Sequence, residues 1–591
     1  MLLRRHPDTQ RDLIVLQITG QLFFICLGVL AVYYWKERQA FDAAHYLFEI
    51  IDRKFFFIAH HRPLGLVSQV LPVAGVWLGL PLKVIAILYS LGDILWYYFL
   101  FLWMAYGLES RRGVVSLLLL LSLTVRYSFF CPVTELLQGL ALIPVWMSLL
   151  NKSFRFRLPL LTGLMVLIVF SHPLLFYPLA FAFAWWSLSR AEGATALNHE
   201  RSRLPRILWP ALVLISAAKF LLLDSYDHGK TFYPVVYNDY GYLKSLDFPA
   251  VWNHIRLIAA EYPLCGILFL ATFFTYILRR KTALGLLLLF GLLGYLVLVT
   301  ATHRFGAISN YSERILLPLP AMLAISAAGI MVLSRVLIPK LAAYVGLVLI
   351  LLLHFDLLRL TARPYTLRVL QLESLCDAAR ETGIRKGIIS EELMEQNSFA
   401  MTGWSYPLET LLISSYKGPD SSVTIALLNE HIRRIEKSGN SVRARQWIKW
   451  TEYILPSAEL NSTYFRLPDE NYLSLNEGHS SYTDTVLLHF HSAEKIRDHA
   501  LVLAFDLETV AQKPLYCSDS TYLRITLPQG PELRLLLPYT VKYKTRLWAE
   551  IPVKELEENA LVECAFLIGP KAAGTCLLRF SEGRLQAEKK P

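Results

Sequence analysis

Residues 13–34 read LIVLQITGQLFFICLGVLAVYY, a run that contains no charged side chain. A helix needs about 20 mostly apolar residues to cross the hydrocarbon core of a bilayer. Comparable runs follow at 83–107, 113–130, 132–150, 158–171, 174–189, 207–223, 263–279, 282–301, 315–334 and 338–360. Together they predict a polytopic α-helical membrane protein with about eleven spans. The two runs beside His172 and Pro173 are either one broken helix or two spans joined by a tight turn.

The apolar excess is confined to one part of the chain. Of the 591 residues, 54% are hydrophobic, whereas soluble proteins average about 45–50% apolar residues. The excess lies in residues 1–360, and residues 361–591 have the composition of a soluble domain. The net charge of +11 is spread over short loops, which argues against a nucleic-acid partner and favours loops held at a lipid bilayer.

The seven cysteines show no CxxC or zinc-ligand spacing. Three of them fall in or beside apolar runs and four in the soluble half. If that half faces an oxidising compartment, Cys564 and Cys576 are candidates for a disulfide, and the alternative is that both are free buried thiols.

Basic residues occupy every second loop between the predicted spans, at Arg4, Arg5 and Arg11, at Arg111 and Arg112, at Lys152, Arg155 and Arg157, at 190–206, at 279–281, and at Arg335 and Lys340. Loops rich in lysine and arginine stay on the cytoplasmic side. These loops and the N-terminus are therefore predicted to be cytoplasmic. The loops 35–82, 127–132, 172–173, 224–262 and 302–314 then face outward, and an odd number of spans places the C-terminal half outside as well.

The first outward loop contains FDAAHYLFEIIDRKFFFIAHHRPLG (41–65). Residues at three- and four-residue spacing share one face of a predicted helix lying on the membrane; they are Asp42, His45, Glu49, Asp52 and Phe56. The following segment 64–80 is apolar but contains Pro72, and it predicts an interfacial helix. Asp42 is the leading candidate for a catalytic carboxylate, and the alternative is that it only caps the start of the helix.

Further candidates lie at the outer ends of other spans, because ionisable groups near membrane depth are costly unless they are paired or face water. They are His60, His61, Arg62, Arg126, Glu135, His172, Lys219, Asp224, Asp227, Lys230, Glu313 and Arg314. Each has a structural alternative. Arg126 and Lys219 would snorkel to the interface, residues 60–62 would anchor at lipid headgroups, and Glu313 would pair with Arg314. Asp93, about ten residues into the second span, is expected to be a buried structural hydrogen-bonding group rather than part of a polar path.

Three segments resemble the GT-C superfamily of polyprenyl-phosphate-dependent membrane glycosyltransferases. They are Phe41-Asp42-Ala43-Ala44-His45-Tyr46, the pair Arg62-Pro63-Leu64-Gly65 and Gln69-Val70-Leu71-Pro72, and Tyr311-Ser312-Glu313-Arg314 followed by Pro318. The resemblance covers residues 1–360 and implies a GT-C-like transmembrane domain in a bacterial inner membrane, with the C-terminal half in the periplasm. Two features depart from the family: Ala43 stands where a second acidic residue is common, and the WWDYG-type signature of oligosaccharyltransferases does not occur in the sequence.

The resemblance implies an inverting enzyme that transfers a sugar from a polyprenyl-phosphate donor to an envelope glycan, lipid or protein acceptor at the outer leaflet. Asp42 would be the general base for the acceptor, and Asp224, Asp227 and Glu135 compete for the role of a second catalytic carboxylate. The residues expected to bind substrate or to stabilise the leaving phosphate are His45, Glu49, His60, His61, Arg62, Arg126, His172, Lys230, Glu313 and Arg314. No metal is required, although a divalent cation bridging Asp42 and a second acid remains an option.

The soluble half is predicted to be an extracytoplasmic α+β domain with two regions. Residues 361–480 are helix-rich, with helical spacing in TLRVLQLESLCDAARETG (366–383) and IALLNEHIRRIEK (425–437). Residues 481–591 contain about seven short runs separated by turn residues, which predicts a β-sandwich.

Two other functions fit the same pattern. One is a non-enzymatic subunit for the transport or assembly of lipid-linked glycans, although no inverted repeat is evident in the sequence. The other is a polysaccharide polymerase or ligase with a site built on arginine and histidine. A glycosyltransferase of the GT-C type is the preferred hypothesis.

Overall fold

The computed structural model describes residues 7–123, 125–191, 203–228, 248–302, 309–333, 337–381, 383–390, 403–428, 445–450, 453–474, 486–497, 500–509, 521–527, 533–536, 544–552, 561–568, 571–581 and 584–587. The chain forms two compact units. The first unit consists of Met1–Arg38, Phe55–Leu78 and Ile85–Arg359, and the second of Gln39–Lys54, Gly79–Val84 and Leu360–Pro591.

The described helices are α1 (Pro7–Tyr33), α2 (Asp42–Arg53), α3 (Gly65–Trp77), α4 (Leu82–Leu102), α5 (Arg111–Leu123), α6 (Glu135–Leu149), α7 (Arg157–Ser171), α8 (Phe176–Ala191), α9 (Arg203–Leu221), α10 (Phe248–Glu261), α11 (Pro263–Leu278), α12 (Thr282–Thr302), α13 (Ser309–Leu316), α14 (Pro318–Leu333), α15 (Leu337–Glu381) and α16 (Tyr406–Ser415). A π-helical segment at Trp103–Gly107 continues α4.

Six helical segments in the described part of the chain are long and apolar enough to cross a membrane, or seven if the bent pair α10 and α11 is one span. Each apolar run predicted as a span overlaps a helix, although the run 113–130 extends beyond the end of α5 at Leu123. However, α5, α6, α7 and α8 have only 13, 15, 15 and 16 residues. At a rise of about 1.5 Å per residue, 16 residues reach about 24 Å, less than the roughly 30 Å of a bilayer core. The number of eleven spans therefore stays a prediction.

The short helices α5 and α6 form the interior of the first unit. Every residue of α5 from Gly113 onward is buried, and so is α6 apart from Met147. A helix that is apolar on all sides is stable when it is covered on all sides. In this case α14 packs on α5, and α7 and α8 pack on α6.

Asp93 has the structural role that was expected for it. Its carboxylate pairs with Arg38 at 2.5 Å, and both side chains are buried. Arg38 also donates to the hydroxyl and carbonyl oxygens of Ser90 at 2.8 and 3.0 Å and to the carbonyl of Phe129. These contacts satisfy a buried guanidinium, which would otherwise carry a large desolvation cost.

A close approach of α3 and α4 depends on Gly92. A Cβ atom at position 92 would lie 2.0 Å from the carbonyl oxygen of Ser68, so no larger residue fits without a backbone shift. This contact places Ser68 and Gln69, at the start of α3, against α4.

The strands all belong to the second unit. They are β1 (Lys386–Ser390), β2 (Thr424–Leu428), β3 (Gln446–Trp450), β4 (Tyr453–Pro456), β5 (Leu473–Ser474), β6 (Val486–Arg497), β7 (Ala500–Thr509), β8 (Thr521–Thr526), β9 (Leu533–Leu536), β10 (Lys544–Pro552), β11 (Leu561–Ile568), β12 (Lys571–Ser581) and β13 (Arg584–Ala587). The C-terminal region thus contains sheets, as predicted.

The helical prediction for 425–437 is wrong where it can be compared. Residues 424–428 form strand β2, which pairs in parallel with β1, and β1 pairs in parallel with β5. Ile425, Ala426 and Leu427 are all buried. A short continuous apolar run fits a buried strand as well as a helix, and the rest of the predicted helix lies outside the described residues.

The predicted strands after residue 481 are observed. A three-stranded antiparallel sheet has the order β10-β7-β6, and a five-stranded one has the order β13-β12-β11-β8-β9. Strand β6 packs against β11, β12 and β13 of the larger sheet, as in a β-sandwich. Cys564 on β11 lies directly opposite Cys576 on β12 in the antiparallel register.

Helix α2 differs from the predicted membrane-surface helix. It belongs to the second unit, and eight of its residues, from Ala43 to Ile51, are buried, among them Glu49. Phe56 lies beyond the end of α2 at Arg53. An amphipathic helix can cover its apolar face with protein as readily as with lipid, and here protein covers it.

Candidate functional site

The loop before α3 is fixed by Gln69, the first residue of the segment Gln69-Val70-Leu71-Pro72. The side chain of Gln69 is buried; its Oε1 accepts from the amide of Phe57 at 2.8 Å and its Nε2 donates to the carbonyl of Phe57 at 2.7 Å. Further along this loop, His60 and His61 have φ angles of 54° and 53°. Consecutive non-glycine residues in the left-handed region are uncommon and store strain, which is frequent at functional sites.

The loop ends in Arg62, which joins two acidic residues that are distant in the sequence. Arg62 Nη2 donates to Oδ1 of Asp227 at 2.5 Å, and its Nη1 lies 3.6 Å from Oε2 of Glu135. Glu135 is the first residue of α6, where the helix dipole favours a negative charge. Both carboxylates are buried, with 4% of Asp227 and 5% of Glu135 exposed.

His60 makes the second link between the loop and residues 224–227. Its Nδ1 lies 2.7 Å from Oδ2 of Asp224, and its ring stacks on Tyr226 with 4.1 Å between the ring centroids. The other oxygen of Asp224, Oδ1, accepts from the amide of Asp227 at 2.7 Å. Burial opposes ionisation of Asp224, but the Asp227 amide and His60 outweigh it, so its pKa lies below the usual range. Both oxygens of Asp224 are thus engaged.

Asp227 differs from Asp224 in this respect. While Oδ1 is held by Arg62, Oδ2 is buried and has no hydrogen-bond partner among the described residues. Lys219, 98% buried near the end of α9, is close enough to Asp227 and Asp224 for their charges to interact. Its ammonium group forms no hydrogen bond or ion pair with the described residues, and its nitrogen lies 5.8 Å from the ring centroid of Phe170. We call His60, Arg62, Glu135, Lys219, Asp224 and Asp227 the Arg62 cluster.

A second group of predicted residues surrounds Glu313. The carboxylate of Glu313 accepts from the amides of Arg126, Tyr127 and Ser128 and from the hydroxyl of Tyr262, at distances between 2.7 and 3.3 Å. Glu313 is 1% exposed. These contacts hold the chain segment after α5, which gives Glu313 a structural role. We call these five residues the Glu313 cluster.

The two arginines near Glu313 are also engaged. Arg126 donates to the carbonyl and the carboxylate of Glu261 at 2.8 and 3.1 Å. Arg314 donates to the sulfur of Cys131 and, among the described residues, forms no ion pair with Glu313. The local Glu313–Arg314 pair that was considered from the sequence is thus replaced by contacts to other segments.

The other predicted site residues, His172, His61 and Lys230, do not belong to either cluster. His172 is half-buried, and its Nδ1 accepts from the amide of Leu174 at 3.2 Å, so it caps a short 3-10 helix. The side chain of His61 is exposed. Lys230 lies outside the described residues.

Asp42, His45 and Glu49 belong to the second unit. Asp42 is the half-buried first residue of α2, and the preceding amide, of Phe41, donates to Glu409 at 3.0 Å. Glu49 accepts from Lys449 and from Arg53, the latter at 2.5 Å. Burial alone would raise the pKa of Glu49, but the hydrogen bond and charge of Lys449 lower it overall. Burial lowers the pKa of His45 to about 4.

A metal centre has no obvious place in the described part of the chain, where no group of three or more His, Cys, Asp or Glu side chains is arranged to hold a metal ion. The sequence indicates Lys219 as a functional candidate with a snorkelling alternative, and it gives Gln69 no chemical role. The signal that indicates Lys219 is its position, since it is a lysine inside the apolar run 207–223.

The described chain is thus a mostly helical protein with six or seven segments suited to a membrane, a sheet-containing C-terminal region and a buried cluster of opposite charges. No protein-family model matches it, and no curated protein or solved structure matches it either. Its function has to be inferred from the chemistry of its own residues.

Proposed function

We propose that this protein is a membrane glycosyltransferase that moves a sugar from a polyprenyl-phosphate donor to an acceptor hydroxyl at the outer leaflet. The observation that carries the proposal is the half-satisfied carboxylate of Asp227. One of its oxygens is fixed by Arg62 at 2.5 Å and the other is buried without a partner among the described residues. A buried carboxylate oxygen is costly to leave unsatisfied, and a hydroxyl group of a substrate would satisfy it.

Asp227 is suited to act as the general base. An acceptor hydroxyl that donates to Oδ2 transfers its proton to the carboxylate as its oxygen bonds to the anomeric carbon. The bond from that carbon to the donor phosphate breaks, and the electron pair leaves with the polyprenyl phosphate. Attack opposite to the leaving group inverts the configuration at the anomeric carbon.

The composition of the Arg62 cluster fits a sugar better than a free anion. Three carboxylates, Glu135, Asp224 and Asp227, face two cations, Arg62 and Lys219. Hydroxyl groups donate readily to carboxylates. Lys219 has no ion-pair partner among the described residues, so it is the cation available to stabilise charge on the leaving phosphate. Arg62, held between two acids, orients Asp227.

Asp42 remains a competing candidate for the base, and direct substitution separates the two. We would reconstitute the purified protein in liposomes with radiolabelled polyprenyl-phosphate glucose, mannose or galactose and a bacterial envelope extract as the source of acceptor hydroxyls, and follow loss of sugar from the lipid. Asp227→Asn keeps the shape of the side chain and should lower turnover about 100-fold or more. Asp42→Asn should have the same effect only if Asp42 is the base.

Asp356→Asn is the control, because Asp356 is an exposed carboxylate on α15. Full turnover by Asp227→Asn and a loss in Asp42→Asn would return the role of base to Asp42. Full turnover by both variants would refute acid–base catalysis by either carboxylate. Binding of the donors without any turnover by the native protein would favour the non-enzymatic assembly subunit.

A further inference from the structure

A cavity of about 290 Å³ lies in the first unit, away from the Arg62 cluster. Its lining includes Arg111 and Arg112 at the start of α5, Met147 and Ser148 near the end of α6, and Trp186 of α8. Glu135 of the Arg62 cluster begins α6, so the two sites lie toward opposite ends of that helix, about 18–20 Å apart at its rise per residue.

The charge of this cavity is positive. Neither aspartate nor glutamate is among the residues that line it. Arg111 is neutralised by Asp12, 2.7 Å away. Arg112 forms no hydrogen bond or ion pair with the described residues. A half-buried guanidinium without an acidic partner has lost part of its hydration with no ion pair in exchange, and a bound anion would compensate for that loss.

Burial also affects the ionisation of Arg112. It lowers the pKa of the guanidinium below its usual value; Tyr276 opposes this shift, and the neighbouring charge of Arg111 adds to it. Arginine nevertheless stays charged at any physiological pH. The cavity therefore presents a fixed positive charge whose environment favours an incoming negative one.

Hydrogen bonds hold the polar side chains that line the cavity in place. The indole of Trp186 donates to Asn151 at 3.1 Å, and that of Trp185 donates to Tyr276 at 3.0 Å. The hydroxyls of Ser110 and Ser148 lie 2.7 Å apart. On Trp186 the guanidinium of Arg190 lies 4.5 Å from the ring centroid, which adds a second cation close to the cavity.

We propose that this cavity binds a phosphate group and that Arg112 is its main cationic contact. A volume of 290 Å³ is at the lower end of the range of small-ligand sites. It accommodates a phosphate headgroup or a small phosphate ester but not the chains of a lipid. Basic pockets between membrane helices bind the headgroups of anionic lipids, and the same chemistry would bind a soluble phosphate compound.

The test uses the full-length protein, delipidated in a neutral detergent and examined by native mass spectrometry. Phosphatidic acid is the anionic probe and phosphatidylcholine the neutral one, with and without millimolar inorganic phosphate. Phosphatidic acid should bind in preference to phosphatidylcholine. Arg112→Gln should weaken its binding about tenfold or more, because a charge-assisted contact is lost, whereas Arg112→Lys should retain most of it.

Arg155→Gln is the matched control, since Arg155 is exposed and outside the cavity; it should change binding less than about twofold. If Arg112→Gln does not fold, Asn151→Asp replaces it, because Asn151 is an exposed lining residue and the new charge should also weaken binding. Competition by inorganic phosphate would identify a soluble phosphate compound as the ligand, and its absence a lipid headgroup. No preference for phosphatidic acid and no phosphate binding, or equal effects of Arg112→Gln and Arg155→Gln, would overturn the proposal.

Discussion

Glu313 and Asp227 are both buried carboxylates of the first unit, but their surroundings differ. Glu313 accepts hydrogen bonds from three backbone amides and a tyrosine hydroxyl. Asp227 has one oxygen on Arg62 and one oxygen without a partner among the described residues. A carboxylate whose acceptor positions are filled by its own chain stabilises the fold. One with a position left open has the capacity to accept from a substrate.

The largest effect expected from this comparison is on stability. Glu313→Ala leaves three amides and the hydroxyl of Tyr262 without their acceptor, and each buried unsatisfied donor costs about 1–3 kcal/mol. Allowing for relaxation, we expect a loss of about 4 kcal/mol. Thermal unfolding in detergent measures it.

Glu261→Ala is the matched control, because its carboxylate also contacts this segment but is 23% exposed. It should cost about 1 kcal/mol. Equal losses for the two variants would mean that the amide contacts of Glu313 add nothing to stability.

At the Arg62 cluster the effect should be on activity instead. Lys219→Met keeps the apolar part of the side chain and removes the ammonium group. Turnover of a polyprenyl-phosphate sugar should fall about 100-fold, equivalent to about 2.7 kcal/mol of transition-state stabilisation. The melting temperature of the Lys219→Met variant should stay near that of the native protein. A large loss of stability with unchanged turnover would remove Lys219 from the proposed site.

The second unit extends the comparison to a pH-dependent pair, His45 and Glu49. The pKa of His45 is lowered to about 4, mainly by burial, against about 6.5 in an unfolded chain. Between these two pKa values the unfolded state binds more protons than the folded state. Stability is therefore complete above about pH 6.5, falls as the pH drops toward 4, and levels off below that pH. Between pH 7.5 and 5 the loss should be about 2 kcal/mol.

Thermal unfolding of the native protein and of His45→Gln at both pH values tests this. The variant should lose less stability on acidification than the native protein. An identical loss in both would show that His45 does not contribute to the acid sensitivity.

The smallest effect is expected at Arg53, the exposed partner of Glu49. The pair is only 2.5 Å long, but 57% of the Arg53 side chain is exposed. Solvent screens such a pair, so Arg53→Ala should cost less than about 0.5 kcal/mol. If Arg53→Ala lowered the free energy of unfolding by more than about 1 kcal/mol, burial would not be what determines how much an ion pair stabilises this protein.

Periodicity and composition predicted much of this fold. The apolar runs before residue 360 fall in helices, and the runs after residue 481 that were predicted as strands contain strands. The helical prediction is wrong at residues 425–428 because IALL fits either a buried strand or a helix. The association of α2 with the second unit was not predictable, since an amphipathic pattern does not specify whether lipid or protein covers its apolar face.

The candidate site was predictable as a set of residues but not as a set of contacts. Arg62, Glu135, Asp224 and Asp227 were selected because ionisable groups beside apolar helices are unusual. Their pairing is not readable from the chain, since Arg62 and Asp227 are 165 positions apart. Glu313 was predicted on the same grounds, but three of its four partners are backbone amides, which every residue except proline carries and which the sequence therefore does not single out.

The close contact at Gly92 suggests a genetic tool. A methyl group there would collide with the carbonyl of Ser68, which is backbone and cannot swing aside. The next residue, Gln69, fixes the loop that carries His60 and Arg62. Gly92→Ala would therefore push α3 and α4 apart without changing any of the charged residues. We expect it to behave as a temperature-sensitive allele. Warming would then inactivate the protein although every side chain of the site is unaltered.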